Sequence, residues 1–444
     1  MKNPIITLLL VILIALLAAC ESYLQIEPPN NKLDSHSVFA DSVSASSAIT
    51  GIYAEMTAYN LGFLASQGRW AALYSGELEY TGTSDPIIQF TNQRLNIDNS
   101  NINTLWSNIY KHIYQANSII ERTQLAEHIN ERAKQKLVGE ARFVRAFLFF
   151  YAVNNWGGVP LTITTDYREN ESLPRATVDE VYMQIIADLE FASDVLSTEY
   201  INAERTRPNR LAAMSLLARV YLYKRNWTEA NYYANQVIDS EIYAELPAPP
   251  MTYLKESTET IWQLFPATYP AIFNSYDGYY FVPSSMSNST IPAYLIPDEL
   301  YNSFEAGDLR KENWIGIKPN GQYLFPYKYK VRQSAQKSEY TVVFRMSELC
   351  LIRAEASAHL GNLRSAIHDI NLVRERAGLR GLPEDLSSEE TIRSIKQEKY
   401  HEFFCEWGHR WYDLKRYGSS AFGLWPIPVQ QIITNPKLVQ NENY

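Results

Sequence analysis

Residues 345–379 read RMSELCLIRAEASAHLGNLRSAIHDINLVRERAGL, and this stretch decides the fold class. Leu349, Ile352, Ala356 and Leu360 recur at three- and four-residue spacing, which places them on one stripe of a helix. Gly361 supplies the left-handed residue that ends it, and the Asn362 side chain is expected to cap the helix that follows. Leu363, Ala366, Ile367, Ile370 and Val373 form the second stripe, closed by Gly378. Small residues at Ala354 and Ala366 let the two helices pack closely and antiparallel, as in a tetratricopeptide unit. One such unit cannot bury its own apolar face, so further hairpins must stack on it.

A second hairpin is spelled by residues 211–223 and 228–238. Its Ala218 and Ala230 stand twelve residues apart, as do Ala354 and Ala366. The two hairpins are not tandem. Residues 241–340 between them are rich in Pro, Tyr, Ser and Asn and have little helical periodicity. They read as a loop-rich insertion with a few short strands. After the opening hairpin, residues 391–407 read as helix, Gly408 starts a further segment to Tyr417, and an irregular tail follows.

Upstream, residues 44–59 and 104–122 have helical spacing. Within GEARFVRAFLFFYAVNNWGGVPL, residues 139–161, the part from Ala141 to Val153 is apolar nearly all round. This predicts a deeply buried helix in which Arg142 and Arg145 need partners. Gly157-Gly158 and Pro160 stop it. Thr177 and Glu180 form a capping-box pattern before a helix running to about Leu196. Residues 62–103, broken by Gly, Ser, Thr, Asp and Asn, are expected to be irregular and, being long, to carry function.

The N-terminus sets the compartment. Lys2 precedes an apolar run from Ile5 to Ala19, too short for a transmembrane helix and of the kind seen in secretory signals. Leu17-Ala18-Ala19-Cys20 resembles a bacterial lipobox, with Cys20 as the acylated residue; the alternative is an ordinary signal cleaved near Ala18 or Ala19. Residues 1–19 are thus the expected signal peptide, 20–43 the lipid-anchored tether, 44–240 an N-terminal helical part, 241–340 the ligand-binding insertion and 341–444 the C-terminal hairpin and tail. Cys350 and Cys405 leave a disulfide or two buried thiols open, and their apolar helical surroundings favour thiols.

The formal net charge of −9 argues against nucleic acid as a partner. Tyr is conspicuous, 31 against 17 Phe and 9 Trp, and suits both helical packing and wet recognition surfaces.

Four segments together, GEARFVRAFLFFYAVNNWGGVPL, the RMSELCLIRAEA…INLVRERAGL hairpin, FFCEWGHRWYDLKRYG and WPIPVQQIITNPKLVQNENY, resemble the SusD/RagB family of outer-membrane lipoproteins. The resemblance implies a mainly α fold, a tetratricopeptide-like scaffold with a loop-rich insertion. It also implies a non-catalytic, extracellular, lipid-anchored protein that presents nutrient to a SusC-like TonB-dependent transporter. The nutrient is an oligosaccharide or, in the alternative, a peptide. One departure is Glu406-Trp407-Gly408-His409-Arg410, where the family's Glu-Gly-x-Arg element has one residue fewer between Glu and Gly.

His401-Glu402-Phe403-Phe404-Cys405 imitates a zincin motif, but Gly408 and the aromatic residues beside it favour packing over metal. Glu77 and Glu79 would be the pair of a glycoside hydrolase, yet alternation along an extended segment points them apart. Arg374, Arg376, Arg410, Glu355 and Asp413 are expected to form charge pairs locking the C-terminal helices rather than to bind an anion. No catalytic residue, metal or cofactor is expected. Ligand contacts are expected from aromatics with polar neighbours in the two irregular segments: Trp70, Tyr74, Glu77 and Tyr80 in the first, Asn274, Tyr276, Asp277, Tyr279 and Tyr280 in the second.

Overall fold

The computed structural model describes residues 39–57, 62–243, 246–267, 272–419 and 421–444. The apolar leader, the lipobox with Cys20 and most of the tether lie outside the described residues.

The principal helices among the described residues are α1 (Ser42–Met56), α2 (Phe63–Tyr74), α3 (Asp85–Thr91), α4 (Ser100–Leu125), α5 (Glu131–Trp156), α6 (Val178–Val195), α7 (Arg210–Tyr223) and α8 (Trp227–Ile238). The chain continues with α9 (Tyr276–Phe281), α10 (Leu309–Trp314), α11 (Met346–His359), α12 (Leu363–Arg376), α13 (Ser388–Phe403), α14 (His409–Arg416) and α15 (Val429–Thr434). The strands are short and form three antiparallel pairs. In these, β1 (Glu79–Tyr80) joins β3 (Tyr294–Leu295), β2 (Thr260–Leu264) joins β6 (Thr341–Arg345), and β4 (Ile315–Ile317) joins β5 (Leu324–Pro326).

Each helix from α4 to α8 packs on the next, and α11 packs on α8, so the helical stack resumes across the intervening hundred or so residues. The four alanines that match between the two hairpins, Ala218, Ala230, Ala354 and Ala366, are all fully buried, as close helix approach requires. Gly361 and Gly378 adopt left-handed φ values of 83° and 77°. Asn362 differs from expectation: its side chain makes no capping bond, and its backbone N–H instead reaches the Ser357 carbonyl at 2.8 Å. The capping box at Thr177 and Glu180 forms.

Helix α5 runs through the centre of the core, with Phe143, Phe147, Phe149 and Phe150 buried. Its arginines find partners on α6. Arg145 donates to both Asp188 carboxylate oxygens at 2.7 and 2.8 Å and to Asn117 at 2.8 Å, and Arg142 lies over the Phe191 ring. Arg219 on α7 reaches Glu348 on α11 at 2.6 and 2.7 Å, tying one hairpin to the other. Strands β2 and β6 bring Trp262 and Phe344 against Phe147, so the insertion is packed into the scaffold's aromatic core.

The expectation of irregular structure over residues 62–103 is overturned: α2 and α3 occupy much of it, and α4 begins at Ser100. All but one residue of α2 is buried. A helix buried all round has no polar face, so it leaves no amphipathic period to read.

The C-terminal charges behave largely as expected. Glu355 takes Arg416 at 2.7 Å and Lys399 at 3.1 Å, and Asp413 takes both at 2.7 Å. Arg374 pairs with Glu305 and Glu398, and Arg376 with Glu402. Arg410 differs, stacking on Tyr400 at 4.0 Å. The turn that carries Glu406 is left-handed at Cys405, Trp407 and Gly408, with φ of 58°, 48° and 82°. It aims Glu406 inward to accept from Tyr253 at 2.6 Å, Lys328 at 2.5 Å and Arg345 at 2.9 Å.

Candidate functional site

Strand β1 follows α2, and its partner β3 follows α9, so the β1–β3 pair draws residues 79–80 and 294–295 together. Helix α9 packs on α2 from the other side. A cleft of about 540 Å³ opens between the two segments, a size common for ligand pockets. Its wall is aromatic: Tyr80, Tyr279, Tyr280 and Tyr294, with Trp70 at its base. Ser84, Asn101 and Thr290 add polar groups, and Arg69 and Arg332 add two cations.

The rings are held by one another. Tyr80 and Tyr294 lie 5.4 Å apart between centroids, and Tyr279 and Tyr280 lie 5.2 Å apart, nearly perpendicular. The Arg69 guanidinium is 4.2 Å from the Trp70 ring centre and 3.7 Å from that of Tyr280. Arg332 lies 4.5 Å over Tyr279 and donates to the Tyr279 and Val282 carbonyls. Gly278 is required here, because a Cβ would stand 2.6 Å from the Val331 carbonyl oxygen; the absence of a side chain lets α9 press against the loop carrying Arg332.

Of the nine residues expected to touch ligand, Tyr80, Tyr279 and Tyr280 come together on the cleft, half-buried, with Trp70 1% exposed beneath them. The others lie away from it. Tyr74 is buried edge-on against Trp411 and Trp425. Tyr276 is buried and donates to the Thr57 carbonyl at 2.6 Å. Asn274 staples a loop, accepting from the Ser338 N–H at 2.7 Å and donating to the Ser334 and Gln336 carbonyls. Each of these side chains is spent on the protein's own backbone or core, so the expectation that they present a surface is corrected.

Glu77 and Asp277 have a different setting. Glu77 is 1% exposed, its Oε2 accepting from Ser75 at 3.2 Å, while Glu79 on β1 is exposed; the two carboxylates do not share a bond-facing site. Burial pushes the Glu77 carboxyl up to about 7 against the pull of Arg410 and Lys328. Asp277 lines a small void with Lys328, Tyr329 and Glu406, and burial followed by the Glu406 charge raises it to about 7.

The imitation zincin motif is dispersed. His401 bonds Ser303 at 3.0 Å and stacks on Phe304, Glu402 faces three arginines, and the Cys405 thiol lies by the Glu77 carbonyl. Cys350 and Cys405 are both buried free thiols. Among the described residues no group of three or more His, Cys, Asp or Glu is placed to hold a metal.

Arg69, Tyr294 and Arg332 escaped the sequence reading. Tyr294 pairs with Tyr80 across more than two hundred residues, and no local pattern marks such a partner. Arg69 stands beside Trp70 in the chain, and that Arg-Trp neighbourhood was the available signal.

Residues 23–222 match a family model named SusD-like_3, described as starch-binding associating with the outer membrane, and residues 307–423 match the SusD_RagB model of the SusD family. The chain belongs to the SusD/RagB family. SusD-like protein P38 of Formosa agariphila is 24% identical, covering 100% of this chain and 99% of the relative. SusD-like protein P25 of the same organism is 24% identical, covering 78% and 80%. Among solved structures, a SusD superfamily protein from Bacteroides vulgatus superposes with a TM-score of 0.80 at 18% identity, over 91% of this chain and all of that one. Surface glycan-binding protein A from Bacteroides uniformis gives 0.76 at 21% identity, over 89% and 98%. The SusD/RagB family comprises carbohydrate-binding proteins associated with the outer membrane. No helix among the described residues is long and apolar enough to cross a membrane.

Proposed function

We propose that this protein is a lipid-anchored, cell-surface oligosaccharide-binding subunit that delivers its ligand to a SusC-like TonB-dependent transporter. The observation that carries the reading is the aromatic cleft between the β1–β3 pair and α9. Sugar rings present flat C–H faces to aromatic rings, and Tyr combines such a face with a hydroxyl for the sugar's own hydroxyls. The rings are braced by each other and by two guanidiniums, so little ordering is left for the ligand to impose. The tether beginning at Cys20 keeps the body at the membrane, and the helical stack is the face offered to the transporter.

The test is binding of the purified chain to immobilised polysaccharides. Tyr80→Ala and Tyr279→Ala are each expected to weaken retention about tenfold, the loss of about 1–2 kcal/mol of ring contact. Unchanged affinity in both variants would move the site elsewhere. In cells, Cys20→Ala should shift the protein out of the membrane fraction and end its co-purification with the transporter. A variant that stays on the membrane sinks the lipid anchor, and a wild-type protein that retains no transporter sinks the delivery role.

A further inference from the structure

Arg69 and Arg332 set the charge of the cleft. Arg69 is 4% exposed, and its Nε has no hydrogen-bond partner among the described residues. Its guanidinium is held between the Trp70 and Tyr280 faces, within reach of the Tyr294 ring at 5.6 Å. Neither arginine belongs to an ion pair among the described residues, whereas Arg207, Arg219, Arg310, Arg345 and Arg416, buried like Arg69, each have a carboxylate within 3 Å. Among the described residues no Asp or Glu lines the cleft. Asp277 feels the Arg69 charge but forms no ion pair with it and lines the separate void beside Lys328 and Glu406. In a chain of net charge −9, two guanidiniums without a carboxylate among the described residues, Arg332 being met by two backbone carbonyls, form a local reversal of sign in one aromatic cleft.

A buried guanidinium is costly unless an anion or several acceptors complete its coordination, and its planar fork matches a carboxylate or sulfate oxygen pair. Ring stacking and a hydrogen bond with Tyr294 fix Arg69 in place, while its Nε has no partner among the described residues. A neutral sugar would bring only hydroxyls to this position. We infer that the cleft selects oligosaccharides bearing an anionic substituent, a carboxylate or a sulfate ester, which Arg69 and Arg332 receive while Tyr80, Tyr279 and Tyr280 carry the sugar faces. This inference rests on the glycan-binding reading above and narrows it to acidic glycans.

The test pairs each anionic polysaccharide with its neutral counterpart: pectate with fully methyl-esterified pectin, and dextran sulfate with dextran, at 150 mM salt. The full chain, Arg332→Gln and the control Arg132→Gln are compared by affinity electrophoresis. Arg132 is exposed and lies off the cleft. Arg332 is half-buried, so its replacement is milder than that of Arg69, and an unaltered melting temperature checks the fold. The expected result is retention by pectate or dextran sulfate but not by the neutral partner, weakened at least tenfold in Arg332→Gln and unchanged in Arg132→Gln. Which anion retains the protein separates carboxylate from sulfate. Equal retention by a neutral partner, or an Arg332→Gln protein that binds as tightly as wild type, overturns the acidic-glycan inference and leaves glycan binding standing. Retention by none of the four overturns the inference together with the function it rests on.

Discussion

Glu402→Ala is expected to destabilise the protein by about 3–5 kcal/mol, the cost of removing one partner from a buried ion pair. Glu402 is fully buried and accepts from Arg310 at 3.0 Å and from both Arg345 and Arg376. Truncation leaves those three guanidiniums short of an anion, with Asp308, Glu398, Glu406 and Glu259 the remaining carboxylates near them. Since whole domains are stable by only about 5–15 kcal/mol, a large fall in melting temperature should result. A variant melting within a degree or two of wild type would show that the network carries no such weight.

The same site governs the response to acid. Burial acts to raise the Glu402 pKa, but Arg376, Arg345 and Arg310 outweigh it and hold the carboxyl well below the usual range. A lowered folded-state pKa contributes stability that is present above the unfolded value of about 4.3 and lost as pH falls below it. Glu77 and Asp277 work in the other direction. With folded values near 7, they bind protons between about pH 4 and 7 that the unfolded chain has released, so their contribution falls as pH rises through that window. Glu402→Ala should therefore flatten the acid limb of a profile of melting temperature against pH, and an unaltered limb would show that Glu402 does not set it.

Trp70→Ala is expected to cost about 3–5 kcal/mol and to abolish ligand retention together. Trp70 is 1% exposed, stacks on Phe90 at 5.2 Å and forms one of the two faces holding Arg69. Its removal opens a cavity beneath the cleft and frees the guanidinium from its place. Trp70→Phe, which keeps an aromatic face, should recover part of both losses. Tyr80→Ala provides the contrast, being half-buried: binding falls while the melting temperature changes little. Thermal melts and affinity electrophoresis on the three variants decide the matter, and a Trp70→Ala protein with wild-type stability would refute the account of Trp70 as cleft support.

Much of the scaffold is legible in local pattern. Gly361 and Gly378, the paired alanines and the Thr177–Glu180 box each act over a few residues, where helix geometry and backbone conformation are set by neighbours in the chain. The resemblance to SusD/RagB proteins rests on such segments, and so does the division into helical hairpins and an intervening region.

The cleft is not local. Aromatic composition marked the two segments that meet there, but Tyr74 and Tyr276 turn into the core while Tyr80 and Tyr279 line the wall, a choice composition cannot express. The buried helix α2 shows why: with nearly every side chain enclosed, it lacks a polar face from which to infer its direction. Sequence alone determined the helical hairpins and the family, because those depend on contacts a turn or two apart. Only the tertiary structure decided which rings face the ligand and which arginines lack a carboxylate, because pairings such as Tyr80 with Tyr294 arise when distant segments pack together.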